Sequence, residues 1–112
     1  MKQKEIWLIN LDPSIGAEIR KTRPCVILND DSIGVLPLKV VAPITDYKEK
    51  YKIVPWMIQL IPDKLNNLEK ISVIDVFQVR SVSEKRLIRK LGVIREDDIL
   101  KAKEALKLVF GL

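Results

Sequence analysis

Histidine is absent from this 112-residue chain, and only one cysteine, Cys25, is present. Without histidine the chain lacks the one side chain whose ordinary pKa sits near neutrality, and with it the commonest metal ligand. One cysteine and no histidine also leave a structural or catalytic zinc site without its usual donors. Any chemistry must therefore come from Arg, Lys, Asp, Glu, Ser, Thr or Tyr, and no metal or other cofactor is called for. A single cysteine cannot close an internal disulfide. Its place in an apolar run reads as a buried free thiol, which suits a reducing, cytoplasmic compartment. No stretch approaches the ~20 apolar residues of a membrane helix, and the opening Met-Lys-Gln-Lys-Glu does not read as a signal peptide. Internal repeats, low-complexity tracts and linker-like segments are missing too, so residues 1–112 are expected to form a single domain.

What is present fits a globular chain: 47% hydrophobic residues, with twenty Lys and Arg against fifteen Asp and Glu, a formal charge of +5. A basic surplus of this size suggests an anionic partner. Strand patterns run over residues 5–11, 23–29, 38–44, 53–61 and 71–80, with a last short strand at 88–94. Asp12-Pro13-Ser14 marks a turn, and Pro43 is expected to put the end of the third strand at an edge or bulge. Ser83 suits the cap of one helical turn over 83–87. Asp97 and Asp98 suit the start of a C-terminal helix carrying Ile99, Ala102, Ala105 or Leu106, and Val109 at helical spacing. Short strands followed by one helix predict a mainly β fold, a small curved sheet or partial barrel with a helix packed on it.

Several side chains are placed for phosphate or RNA chemistry. Arg23 stands where the second strand begins, beside a loop that carries Gly16, Glu18, Arg20 and Lys21. Its planar, permanently charged fork can grip two phosphate oxygens; the plainer alternative is an ion pair with Glu18 or Asp75. Thr45, at the end of Ala42-Pro43-Ile44-Thr45, can donate a hydroxyl to a phosphate or simply cap a turn. Asp75 lies within an apolar strand and needs a partner, with Arg23, Arg80 or a lysine as candidates. It is read either as an acid/base or orienting group, or as half of an ordinary ion pair. Lys48, Lys50 and Lys52 interleave with Tyr47 and Tyr51, the mix of charge and stacking surface that binds single-stranded RNA, or else a solvated loop.

The order of short blocks resembles the MazF/PemK (Kid) family of toxin endoribonucleases of type II toxin–antitoxin systems. The matching blocks are Glu5-Ile6-Trp7-Leu8, Leu11-Asp12-Pro13, Gly16, Thr22-Arg23-Pro24, Val41-Ala42-Pro43-Ile44-Thr45, Ser72-Val73 and Gln78-Val79-Arg80-Ser81-Val82, with the closing helix at Glu104-Ala105-Leu106-Lys107. The resemblance implies an SH3-like small barrel that forms homodimers. It implies metal-independent cleavage of single-stranded RNA by the substrate's own 2′-hydroxyl, with Arg23 and Thr45 on the family's catalytic arginine and threonine. Gly16, Glu18, Arg20, Lys21, Tyr47, Lys48, Lys50, Gln78 and Arg80 would then bind RNA. A MazE/PemI-like antitoxin with an acidic tail would be the partner. The chain departs from the Kid-like branch at three positions. Phe77 stands where that branch has an aspartate before the Gln-x-Arg segment, Asp75 where it has an arginine, and Ala17 where it has a histidine. A non-enzymatic alternative on a similar fold is a CcdB-like gyrase poison, since the chain ends Phe110-Gly111-Leu112. A plain SH3-like nucleic-acid-binding module is another.

Overall fold

The computed structural model describes every residue except Val35. Its elements in chain order are β1 (Glu5–Asn10), β2 (Thr22–Ile27), β3 (Leu38–Asp46), β4 (Met57–Leu60), β5 (Ser72–Asp75), β6 (Arg80–Ser83), β7 (Leu87–Val93) and α1 (Glu96–Phe110), with 3-10 turns at Glu49–Tyr51, Val76–Gln78 and Glu84–Arg86. The strands run β4-β5-β3-β2-β1-β7 along one antiparallel path, and β6 pairs with β3 off that path. The path curls without β7 meeting β4 among the described residues, so the barrel stays open there.

Strand β3 holds the fold together. Leu38–Val41 pair with β6, Val41–Pro43 with β2, and Ile44–Asp46 with β5. Pro43 is therefore not at the end of the strand, as the sequence suggests, but buried in its middle. It sits at the residue where β3 changes partner from β2 to β5, and a changeover tolerates a residue with no N–H to donate.

The strand expected over 71–80 is also two strands. After Asp75 the chain makes a 3-10 turn, because the Asp75 carboxylate accepts from the Phe77 N–H at 3.2 Å and diverts it from a ladder. Strand β4 begins only at Met57, after Tyr51, Val54 and their neighbours have closed local turns. The expected turn at 83–87 forms as a 3-10 turn, with Ser83 Oγ accepting from the Lys85 N–H. At the start of α1, Asp98 accepts from the Arg95 N–H at 3.0 Å, which satisfies an otherwise unpaired donor at the helix end.

Two apolar clusters lie on opposite sides of β1–β2–β3. One gathers Ile6, Val26, Ala42, Ile44, Ile74 and Val76 beneath Ile99, Ala102 and Ala105 of α1. The other joins Ile9, Leu11, Cys25, Ile27, Val41 and Val82. Cys25, Val26 and Ile27 of β2 face alternate clusters, which is why that part of the strand is apolar without a break. Gly92 of β7 lets the Leu65–Asn66 backbone pack against the strand. A Cβ there would fall 2.4 Å from the Leu65 carbonyl oxygen.

Candidate functional site

The loop between β1 and β2 is tied at its root. The Leu11 N–H donates to the Lys21 carbonyl at 2.9 Å and the Lys21 N–H to Asp12 Oδ1 at 3.0 Å. Arg86 donates to the carbonyl oxygens of Asn10 and Asp12. Lys21 has φ 67°, so the chain leaves the loop through a left-handed residue. Beyond this root Ile15, Gly16, Ala17 and Glu18 are exposed, and Gly16 has φ 60°. The Glu18 carboxylate folds back on its own loop and accepts from the Ile15 N–H at 2.6 Å.

Arg23 follows this root, one residue into β2. Its Nε donates to the Arg20 carbonyl at 3.3 Å, and among the described residues no carboxylate lies within ion-pair distance of it. The plain ion pair with Glu18 or Asp75 is thus absent, and the charge is free to meet an anion. The last paired residues of β2 and β3 are Cys25 and Pro43. Arg23 and Thr45 come two residues beyond this pair, one on each strand. By strand alternation both share the face of Cys25 and Pro43, at the point where β3 leaves β2 for β5.

The same face carries a cleft of about 490 Å³ lined by Leu11, Ala17, Glu18, Ile19, Pro43 and the Phe77–Arg80 segment. Arg80 donates to the Leu11 carbonyl at 3.4 Å. Its charge is felt at Cys25, whose thiol burial nevertheless pushes up to about 12. That thiol stays protonated and unreactive.

Asp75 is buried, and its partner is not a cation. Its Oδ2 accepts from the Gln78 side-chain amide at 3.1 Å, and Gln78 Oε1 accepts from the Ile19 N–H of the loop at 2.7 Å. Burial pushes the Asp75 carboxyl above the usual carboxylate range, while the hydrogen bonds from Gln78 and Phe77 pull it back. Asp75, Gln78 and Ile19 therefore form a chain of hydrogen bonds that ties the β1–β2 loop to the turn after β5. None of the arginines the sequence offered as its partner takes part.

The Lys48–Lys52 segment stands apart from this cleft. Its residues form an exposed 3-10 turn in which the Tyr47 hydroxyl donates to Glu49 at 3.2 Å and Lys50 lies 5.6 Å from the Tyr51 ring centre. Arg86, which anchors the loop root, and Phe77, on the wall of the cleft, were not among the site residues expected from sequence. Nothing in the local sequence marks Arg86, since its role depends on a contact across 76 residues. No helix is long and apolar enough to cross a membrane among the described residues.

Residues 2–110 match the family described as PemK-like, MazF-like toxin of type II toxin–antitoxin system. The chain is 35% identical to the endoribonuclease MazF of Staphylococcus epidermidis over 113 residues, covering all of this chain and 92% of that protein. It is 28% identical to a MazF endoribonuclease of Mycobacterium tuberculosis over 118 residues, covering 100% and 98%. In fold it is similar to the crystal structure of MazF from Deinococcus radiodurans, with a TM-score of 0.81 at 22% identity, covering 100% of this chain and 97% of that one. It is also similar to an endoribonuclease from Mycobacterial species in complex with its cognate antitoxin, with a TM-score of 0.79 at 15% identity, covering 100% and 96%.

Proposed function

The chain belongs to the PemK-like, MazF-like family of type II toxin–antitoxin toxins, and from that premise we propose that it is an endoribonuclease cutting single-stranded RNA without a metal. The observation that carries this reading is Arg23, a guanidinium with no carboxylate partner among the described residues, on the strand face that also carries the cleft-lining Pro43, in a chain 35% identical to a MazF endoribonuclease. The same relationship disfavours the gyrase-poison alternative and the plain binding module.

In the proposed reaction the ribose 2′-hydroxyl oxygen bonds to the adjacent phosphorus and loses its proton. The bond from phosphorus to the 5′-oxygen breaks, and that oxygen takes a proton. The products are a 2′,3′-cyclic phosphate, open to hydrolysis to a 3′-phosphate, and a 5′-hydroxyl fragment. The substrate supplies the nucleophile, so the protein needs only to position the strand and stabilise the charge of the pentacoordinate phosphorus. Arg23 supplies positive charge to the non-bridging oxygens and the Thr45 hydroxyl a hydrogen bond. Arginine does not give up its proton readily, so its contribution is electrostatic.

Asp75 acts by orienting Gln78 and through it the loop. Gly16, Glu18, Arg20 and Lys21 of that loop, with Gln78 and Arg80, line the RNA path. Tyr47, Lys48 and Lys50 extend it as a more distant basic strip. The chain works in the cytoplasm as one domain and as a homodimer. An antitoxin with an acidic tail, bound across Arg23 and the basic loops, keeps it inactive. Charge attraction speeds that encounter, and the tail folds as it binds.

The test is incubation of the purified protein with a long, weakly structured RNA in excess EDTA. Cleavage is expected to persist, to leave 5′-hydroxyl ends and to stop when the antitoxin is added. Loss of cleavage in EDTA with recovery on adding magnesium would overturn the metal-free route.

A further inference from the structure

The cleft beside Arg80 contains a side chain that phosphate chemistry does not need. Phe77 is 60% exposed, although it is one of only two phenylalanines in the chain. It does not wave free. Its own N–H is held by the buried Asp75 carboxylate at 3.2 Å, and it sits at the centre of the Val76–Gln78 turn. Its ring packs against Trp56, with centroids 5.3 Å apart and planes inclined by 47°. Trp56 is packed against the core beneath α1, and its carbonyl accepts from the Val76 N–H at 3.2 Å. The turn is thus braced on both sides, and the ring is a rigid aromatic surface exposed on the wall of the cleft.

The remaining walls suit a flat, mostly apolar guest. Leu11, Ile19, Pro43 and Val79 provide apolar surface, and Glu18 and Arg80 stand at polar positions around it. A cleft of about 490 Å³ has room for one nucleotide. Neighbouring Gln78 keeps a fixed amide orientation, because its oxygen accepts from Ile19 and its nitrogen donates to Asp75. The wall cannot easily collapse when the guest leaves.

We propose that Phe77 is a stacking platform for one nucleobase of the RNA next to the scissile phosphate, and so helps set where the strand is cut. The inference rests on the endoribonuclease reading and adds a base-binding residue to it. Stacking on an aromatic ring accepts any base face, and hydrogen-bonding groups such as the Glu18 carboxylate at the rim add preference among bases. Since the base stacks equally in the bound and reacting states, loss of the ring should raise KM with little change in kcat.

The cut is first mapped on a long RNA. Short RNAs spanning it carry a 2′-O-methyl group on the nucleotide that supplies the nucleophile, so they bind without being cut. Each copy in the series lacks the base at one position. Affinity is measured by fluorescence anisotropy for the wild type, Phe77→Leu, Phe77→Tyr and Phe77→Met. The Met variant keeps apolar contact with Trp56 without a π-face and serves if Leu unsettles the turn. Removing the ring is expected to weaken binding of the complete RNA roughly five- to a hundredfold, while Phe77→Tyr stays close to wild type. With one of the base-deleted RNAs the wild type should lose as much, and the ring-deleted variant should lose nothing further. Equal affinities of ring-deleted and wild-type protein, or the same loss with every RNA, would overturn the proposal. RNA cut normally by a ring-deleted variant sinks only the role of Phe77. A wild type that neither cuts nor binds RNA sinks the endoribonuclease reading, and this inference with it.

Discussion

Arg23 and Thr45 lie on different strands, and neither is needed to hold those strands together. The only hydrogen bond of the Arg23 side chain among the described residues runs to the Arg20 carbonyl, and both residues lie beyond the last β2–β3 pair. Arg23→Ala and Thr45→Ala should therefore each slow RNA cleavage on the order of a hundredfold or more, the usual effect of removing one preorganised donor. Thermal melting should change little. Cleavage by folded Arg23→Ala at the wild-type rate would remove Arg23 from the site.

Glu5 shows the opposite kind of residue, one whose charge serves the fold. Burial alone would raise its pKa, but the Trp7 indole N–H, the Lys2 backbone, the N-terminal ammonium and Lys90 hold it down to about 2. A carboxylate with a depressed folded pKa adds stability above its ordinary pKa, and that stability is lost as pH falls through the folded value. Glu5→Gln should cost about 1–2 kcal/mol at pH 7, allowing for solvent screening of the Lys90 pair. The gap to wild type should close between pH 4.5 and pH 2. Urea melts across that range measure it, and a gap that is constant with pH would refute the assignment.

At the scale of elements, β3 and the turn after β5 decide the shape of the site. β3 changes partner at Pro43, and that change opens the gap flanked by Arg23 and Thr45. The Asp75 cap ends β5 and turns Phe77 and Gln78 toward the cleft. On the far edge, β7 depends on one missing side chain. The Leu65 and Asn66 carbonyl groups lie where the Cβ of any other residue at position 92 would sit. Both contacts are to backbone, so the loop has to move as a unit. Gly92→Ala should destabilise the protein by about 1–3 kcal/mol, as overpacking of a closed contact does. Denaturant melts read this directly. RNA cleavage by the folded fraction should be unaffected, since the change lies away from the cleft; a melt unchanged from wild type would mean that the loop yields freely.

At the scale of the whole molecule the question is which surface meets a second copy. The apolar end of the helix is one candidate, but Leu106 packs against the core and Val109 is half-buried. Leu108, Phe110 and Leu112 remain exposed. A second surface groups Ile33, Leu36, Leu38 and Val40 around Ser81. By strand alternation it lies on the opposite face of the β3–β6 ladder from Arg80, because Val40 pairs with Ser81 and Val41 with Arg80. Pairing through this face would bury these exposed apolar side chains against a second copy. The double change Leu38→Glu with Val40→Glu should therefore give a monomer mass by light scattering at tens of micromolar, where the wild type gives a dimer. An unchanged dimer, with dissociation caused instead by Phe110→Glu, would return the interface to the helix end.

Local physics made much of this legible in the sequence. The strand periods, the C-terminal helix, the Ser83 cap, the buried thiol of Cys25 and the placement of Arg23 at a strand root all follow from residues within a few positions of one another. The block pattern, read in order, also pointed to the family. Tertiary structure decided what depends on distant partners. Asp75 was expected to seek a cation, yet it is held by the amide of Gln78, because a 3-10 turn brings that amide closer than any guanidinium. Pro43 was expected at the end of a strand, yet a change of partner permits it in the middle. Arg86 braces a loop 74 and 76 residues earlier in the chain, and Phe77 becomes a platform only because Trp56 stands behind it. Sequence spacing controls contacts along one element. Which elements meet is settled by the burial of two apolar clusters at once, and no short window of sequence contains that information.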